Sequence, residues 1–325
     1  MKTDRKRILL TGAAGFIGAA LWEALLSRGY DVLGIDNLND YYDVRLKEAR
    51  IARIAEKNFE KADITDAAAM ERIFSKFEPE IVINLAAQAG VRYSLENPFS
   101  YVKNNVEGFL VLLECMRRRP VEKFLYASSS SVYGNDAESP FKETALVDSP
   151  ASLYAATKKS NELMARAYSR LFGIPAVGLR FFTVYGPWGR PDMAPMLFAR
   201  AISKGESIRV FNHGEMSRDF TYIDDIVDGV VKVVESDLPI DKDNDILNIG
   251  HGSPVSLPEF IALLEKAMGR EAKKEYVEMQ PGDVTTTFAD TERMARLYGY
   301  RAATPLEEGI RRFAEWYNSE LNPLR

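Results

Sequence analysis

Near the amino terminus the apolar run Ile8-Leu9-Leu10 leads straight into Thr11-Gly12-Ala13-Ala14-Gly15-Phe16-Ile17-Gly18. A buried parallel strand reads this way when a glycine-rich turn passes the chain to a helix. The helix is expected to reach about Arg28, with Gly29 as its C-terminal cap. A second strand over residues 32–35 then ends at Asp36. This βαβ unit commits the chain to an α/β fold with a doubly wound, Rossmann-type parallel sheet. Gly12, Gly15 and Gly18 stand where a backbone must approach a pyrophosphate and a helix must pack closely on its strand. Asp36 lies 18 residues after Gly18. A carboxylate there accepts hydrogen bonds from a ribose 2′-hydroxyl and repels a 2′-phosphate, which favours NAD over NADP. The spacing is Gly-x-x-Gly-x-x-Gly, and a glycine-rich turn without a ligand is the alternative. Strand, turn, helix, strand and acid in that order favour the dinucleotide, with Phe16, Ile17 and Asn37 joining its contacts.

The alternation continues. Residues 39–56 read as mostly helical. Asp63-Ile64 closes a short strand, and Thr65 or Asp66 caps a helix over 67–77. Asp63 and Ile64 either meet the adenine or belong to that turn. A fourth strand, 81–85, brings the small residues Ala86 and Ala87 to the sheet edge, where a cofactor can approach. A helix over 99–118 carries Asn104, either cofactor-linked or only packed. A fifth strand, 123–127, delivers Ser128-Ser129-Ser130-Ser131 to the carboxyl edge. A sixth, 176–180, opens into an aromatic, turn-rich stretch, 181–193, expected to be a substrate loop. Residues 219–225 are expected to return to the main sheet, with a helix over 226–235 and a strand over 246–249. Ser256-Leu257-Pro258-Glu259 is a capping box for a helix ending near Met268. A Pro281-Gly282-Asp283 turn and an amphipathic helix near 306–317 follow. The expected division is a Rossmann domain of 1–180 with a returning segment of about 216–250, and a smaller substrate domain of 181–215 and 251–325.

Ser149–Met164 is the candidate stretch for proton chemistry, with a solvated Tyr/Lys pair on an ordinary helix as the alternative. Ser149 is the expected cap, with Pro150 at the first helical position. Tyr154 and Lys158, four apart, share a helix face. A neighbouring lysine is expected to favour the phenolate and make the tyrosine a proton shuttle. Tyr-x-x-x-Lys alone is a weak motif, since a chain with 15 tyrosines meets it by chance. Composition narrows the rest. The net charge of −5 argues against a nucleic-acid binder. Cys115 is the sole cysteine, which leaves no internal disulfide or thiolate metal site. His213 and His251 are the only histidines, too few for a histidine metal site or triad. No apolar run approaches the ~18 residues of a membrane span. The basic stretch 1–7 is followed by too short an apolar run for a signal peptide, so a cytoplasmic enzyme is expected.

With these residues in place, the chain resembles the extended short-chain dehydrogenase/reductase family over nearly its whole length. The marks are Thr11–Gly18, Asp36, Ser129 with Val132-Tyr133-Gly134, Tyr154/Lys158, Arg180 and Arg218-Asp219-Phe220. Three longer stretches, 36–43, 86–94 and 180–193, resemble its UDP-glucuronate 4-epimerase group. The resemblance implies bound NAD, a UDP-uronic acid substrate and a homodimer paired through the 99–118 and 152–171 helices. It implies C4 oxidation, rotation of the 4-keto sugar and re-reduction without loss of CO₂. Tyr154 would take the C4 hydroxyl proton, Lys158 would hold the phenolate, and Ser129, with Ser130 as the alternative, would bridge to O4. A C4 ketone beside the C5 carboxylate is a β-keto acid, so the carboxylate must be held out of line with the carbonyl π system. Ser130, Ser131 and Thr183 are the candidates for that task. Arg190 and Arg218 are candidates for the diphosphate, and Arg92 for a further substrate contact. Dehydratases of the family carry Asp-Glu where this chain has Ser130 and Ser131, which speaks against elimination.

Overall fold

The computed structural model describes residues 5–54, 58–240, 245–280 and 282–325. The first four residues, positions 55 and 56 of the expected second helix, and Pro281 of the expected turn lie outside them. β1 (Arg7–Thr11), α1 (Phe16–Ser27) and β2 (Asp31–Asp36) form the expected opening unit. α2 (Val44–Ile54), β3 (Phe59–Lys61), α3 (Ala67–Phe77) and β4 (Ile81–Asn84) continue it. After two one-turn helices, α4 (Tyr93–Glu96) and α5 (Pro98–Tyr101), a π-helical segment (Val102–Glu107) runs into α6 (Gly108–Arg118). β5 (Lys123–Ser129), α7 (Leu153–Phe172), β6 (Ala176–Phe181) and β7 (Thr183–Tyr185) follow. Next come α8 (Ala194–Lys204), β8 (Ser207–Phe211), β9 (Ser217–Tyr222), α9 (Ile223–Glu235) and β10 (Asp245–Ile249). The chain finishes with β11 (Pro254–Ser256), α10 (Leu257–Met268), β12 (Lys273–Val277), α11 (Glu292–Tyr298) and α12 (Leu306–Asn318).

Seven strands form one parallel sheet in the order β10-β6-β5-β4-β1-β2-β3. Alternate residues feed two cores. Ile8, Leu10, Ile83 and Leu125 pack with Leu21, Trp22 and Leu25 of α1. Leu9, Val82 and Phe124 pack with Met70 and Phe74 of α3 and with Leu112 and Met116 of α6. Strand order reverses between β1 and β4, which opens a crevice at their carboxyl ends.

Four sequence expectations change. α2 starts at Val44 because the chain before it is occupied by side-chain turns: Asp36, Asn37, Asn39 and Asp43 each accept from the N–H two residues on. The 99–118 helix contains a π segment, whose extra residue per turn lets the Asn105 side chain reach Gln88. α7 is capped by Ser152, whose hydroxyl accepts from Ala155 N–H at 3.2 Å. Ser149 and Pro150 precede the helix. The Ser149 carbonyl lies against Gly134, where a Cβ would come within 2.4 Å of it. Finally, β9 does not rejoin the main sheet. It pairs with β7 and β11 in a separate three-stranded sheet, and β10 makes the return. The cause is Asp219, a buried carboxylate that accepts from His251, Gly252 and Ala289 N–H at 2.7, 3.0 and 3.0 Å. Those bonds fix β9 to the loop after β10 and to the backbone at Ala289.

Candidate active site

A cavity of about 360 Å³ occupies the crevice, walled by the glycine turn, the ends of β2 and β4, the serine run, Tyr154, Lys158 and residues 181–184. Gly12 has φ +67°, and a Cβ on it would sit 2.7 Å from Ala86 N. A Cβ on Gly18 would sit 2.0 Å from the Gly12 carbonyl oxygen. No side chain caps α1 at Gly15, so its first amides are available to an anion. Thr11 fixes the turn to β4: its hydroxyl donates to Asn84 Oδ1 at 2.5 Å and accepts from Ala86 N–H at 3.1 Å. Phe16, Ile17, Asp36, Asn37, Asp63, Ile64, Ala86, Ala87 and Asn104 all line the same cavity. Glycines that leave the turn room for a pyrophosphate, with an accepting acid at the end of β2, fit NAD. Asp63 accepts from Asn37 Nδ2 and from the N–H and hydroxyl of Thr65. Burial works to raise its carboxyl, but those bonds outweigh it and hold the group below the ordinary range. Asn104 donates to Ser100 O at 2.7 Å.

Ser129 ends β5, and Tyr154 and Lys158 lie within the first two turns of α7. Lys158 Nζ donates to Ala127 O at 2.9 Å and lies 6.0 Å from the centre of the Tyr154 ring. Burial lowers its ammonium to about 8. Burial also raises the Tyr154 phenol, against the opposing effects of the Ser129 hydroxyl and the Arg190 charge. The lowered tyrosine expected from the Tyr-x-x-x-Lys spacing is therefore absent here. Desolvation outweighs the neighbours that favour the phenolate.

Ser130, Ser131 and Thr183 join the cavity wall. The Ser129 hydroxyl accepts from Ser131 N–H at 3.2 Å and bonds the Ser131 hydroxyl at 3.1 Å. Arg190 also reaches the cavity and bonds Asp192 through Nε at 3.0 Å. Asp192 in turn accepts from the Tyr41 hydroxyl at 3.1 Å. Arg92 and Arg218 are not among the residues walling this cavity. Arg92 pairs with Asp283 at 3.1 Å and lies over the Phe211 ring, and Arg218 donates to Ser217 O and Thr285 O. Asp283 draws the first guanidinium toward the small-sheet side, and two carbonyls hold the second.

Several wall and support residues escaped the sequence reading. Lys47 lies 3.9 Å from Asp36 and donates to Asn39. Asn105 accepts from Gln88 N–H at 2.8 Å, donates to Gln88 O at 2.9 Å and to Thr157 Oγ1 at 3.0 Å, and so ties the β4 edge to α7. The adjacent asparagines at 104 and 105 were a visible signal, but only a π turn makes the second the inward one. Further along α7, Glu162 takes two bonds from Arg180, at 2.8 and 2.9 Å, and one from Ser128 at 2.7 Å.

A sequence model of the NAD dependent epimerase/dehydratase family matches residues 8–250. The chain belongs to that family. A probable UDP-glucuronate 4-epimerase of Rhizobium meliloti is 44% identical over 332 residues, covering 96% of this chain and 97% of that one. The crystal structure of a Bacillus cereus UDP-glucuronic acid 4-epimerase, in complex with UDP-glucuronic acid and NAD, superposes with a TM-score of 0.90. It is 35% identical and covers 95% and 98% of the two chains. A Thermotoga maritima UDP-glucose 4-epimerase with UDP-glucose gives 0.89 at 33% identity, covering 97% and 100%. Among the described residues, no helix is long and apolar enough to cross a membrane, and no group of three or more acidic, histidine or cysteine side chains is placed to hold a metal.

Proposed function

We propose that this protein is an NAD-dependent UDP-glucuronate 4-epimerase that interconverts UDP-glucuronate and UDP-galacturonate. The observation carrying this reading is the clustering of Ser129, Ser130, Ser131 and Thr183 with Tyr154 around one cavity. A glucose epimerase has no carboxylate to restrain, whereas short hydroxyl donors suit a C5 carboxylate that must stay out of line with a neighbouring ketone. NAD, when bound, supplies hydride uptake from C4 and its return. Tyr154 Oη takes the C4 hydroxyl proton and gives it back, with the Ser129 hydroxyl bridging it to O4. Lys158, charged below about pH 8, lends the phenolate a nearby cation and orients the nicotinamide ribose. Arg190 serves the diphosphate. Arg92 and Arg218 meet the nucleotide only after a shift from their present partners. Residues 181–215 and 251–325 supply the sugar-nucleotide side.

We also infer a homodimer. Leu95, Phe99, Val102 and Leu110, and Leu163, Leu171 and Phe172 of α7, are exposed apolar side chains on helices that pack together. Such a stripe suits pairing of two helices per subunit.

The test is to incubate purified protein with UDP-glucuronate, without added NAD, and follow products by NMR. UDP-galacturonate, reaching the same ratio from either sugar, is the expected result. Tyr154→Phe should keep bound NAD and lose about a hundredfold or more in turnover. A pentose nucleotide and CO₂ would replace the epimerase by a decarboxylase. Wild-type turnover in Tyr154→Phe would remove the tyrosine from the chemistry.

A further inference from the structure

One fully buried cation lies outside the chemistry described so far. Arg50, on α2, is 0% exposed. Its bonds run to neutral oxygens on three different segments. Nη1 donates to Ala14 O at 2.8 Å, inside the glycine turn, and to the Tyr42 hydroxyl at 2.9 Å. Nη2 donates to Trp188 O at 2.5 Å and to Gly189 O at 3.4 Å. Trp188 has φ +64°, a left-handed conformation rare outside glycine, so its loop rests on neighbours that hold it. Those neighbours are Arg50, the Arg53 guanidinium 5.3 Å from the ring centre, and Trp316 at 5.4 Å. Two residues further on, Arg190 reaches the cavity.

A buried guanidinium whose two terminal nitrogens bond only neutral oxygens and whose Nε has no partner among the described residues is a costly way to fill space, since an apolar side chain of similar volume is usually as stable or more so. What the planar fork supplies is geometry: two nitrogens that hold two backbones at a fixed separation.

We propose that Arg50 is a positioning residue that couples the two ligand sites. It joins the turn expected to hold the dinucleotide to the loop expected to hold the nucleotide sugar. Ordering of the Arg190 loop by a uridine diphosphate group is transmitted through Arg50 to Ala14, and the glycine turn closes more firmly on NAD. Linkage makes the effect reciprocal at equilibrium: bound NAD prepares the Arg190 loop for the diphosphate. This gives the enzyme a way to retain its cofactor while the keto sugar is in the site. The inference rests on the nucleotide-sugar reading above.

The experiment measures exchange of protein-bound NAD with isotopically labelled NAD, with and without saturating UDP, and measures UDP binding by calorimetry on the same samples. In the wild type, UDP should slow exchange about fivefold or more, the lower range of typical site-to-site coupling. Arg50→Lys, which cannot span both carbonyls, should bring that ratio below about twofold. Tyr42→Phe, which removes one acceptor and keeps the ring, should give an intermediate ratio and covers the case in which Arg50→Lys does not fold. A wild-type ratio near one with UDP bound overturns the coupling. So does a wild-type ratio persisting in Tyr42→Phe and in folded Arg50→Lys, which would leave Arg50 a packing residue. Failure of UDP to bind the wild type removes the nucleotide-sugar reading, and the coupling with it.

Discussion

Replacing Arg180 by methionine tests how α7 is fixed to the sheet. The Arg180 and Glu162 side chains are each 3% exposed and share two bonds, at 2.8 and 2.9 Å. Arg180 also lies over the Tyr133 ring, 4.7 Å from its centre. Removing the guanidinium deprives a buried carboxylate of this cation. Breaking a buried pair from one side costs about 3–5 kcal/mol, a large part of the ~5–15 kcal/mol that holds most domains folded. Removing both charges should cost far less, because the desolvation of each ion disappears with it. The Ser128 hydroxyl then loses its acceptor, worth about 1 kcal/mol. Urea unfolding of the wild type, Arg180→Met, Glu162→Leu and the double variant gives the cycle. Each single variant should unfold at clearly lower urea, and the double variant should recover most of the loss. A loss under about 1 kcal/mol in Arg180→Met, or a double variant weaker than either single one, would refute the reasoning.

Lys158→Met should abolish turnover and yet stabilise the protein at pH 7. Burial lowers the folded ammonium to about 8, below its unfolded value, so charging the lysine costs stability at every pH under 8 and the cost fades as pH rises toward about 10.4. The gain is about 3 kcal/mol at pH 7, less about 1 kcal/mol for the lost bond to Ala127 O. Thermal unfolding at pH 7 and 9.5 should show the advantage shrinking, and an unstable variant at pH 7 would contradict it. Gly18→Ala places a methyl 2.0 Å from the Gly12 carbonyl. It should cost about 1–3 kcal/mol and empty the cofactor site, read as nucleotide released on heat denaturation. Phe99, 83% exposed, should become a charged barrier as Phe99→Glu, and sedimentation should then report a monomer in place of a dimer.

The opening βαβ unit was legible because its determinants are local: an apolar run, glycines with no room for a Cβ, and an acid at the next strand end. Tyr154, Lys158 and the serine run were legible because their positions on α7 and at the end of β5 follow from period and edge. Tertiary determinants were not. Nothing local to Ser149-Pro150 says that Gly134 will press against it, so the helix was expected three residues early. Nothing in Asp219 says that it will accept three distant amides and hold β9 in a second sheet. Arg92 and Arg218 carried the right chemistry for a diphosphate, but Asp283 and two carbonyls decide where they rest. Arg50 looks like one more charge on an amphipathic helix, and only the fold brings Ala14 and Trp188 to its two ends. The Tyr-x-x-x-Lys spacing gives the geometry of the pair, whereas the burial that raises the Tyr154 phenol depends on the whole fold.

The chain leaves the large sheet after β6, returns through α9 to β10, and leaves again for β11. Such threading has a mechanical result. No single cut yields one fragment that keeps the whole parallel sheet and another that keeps the whole of the small sheets. Any stretch that lets go pulls on both, because Asp219 clasps the backbone at the second exit. Heating or denaturant should therefore take the molecule apart in one step. A recombinant exchange of the small sheets between relatives would need two inserts, one on each side of the α9–β10 return.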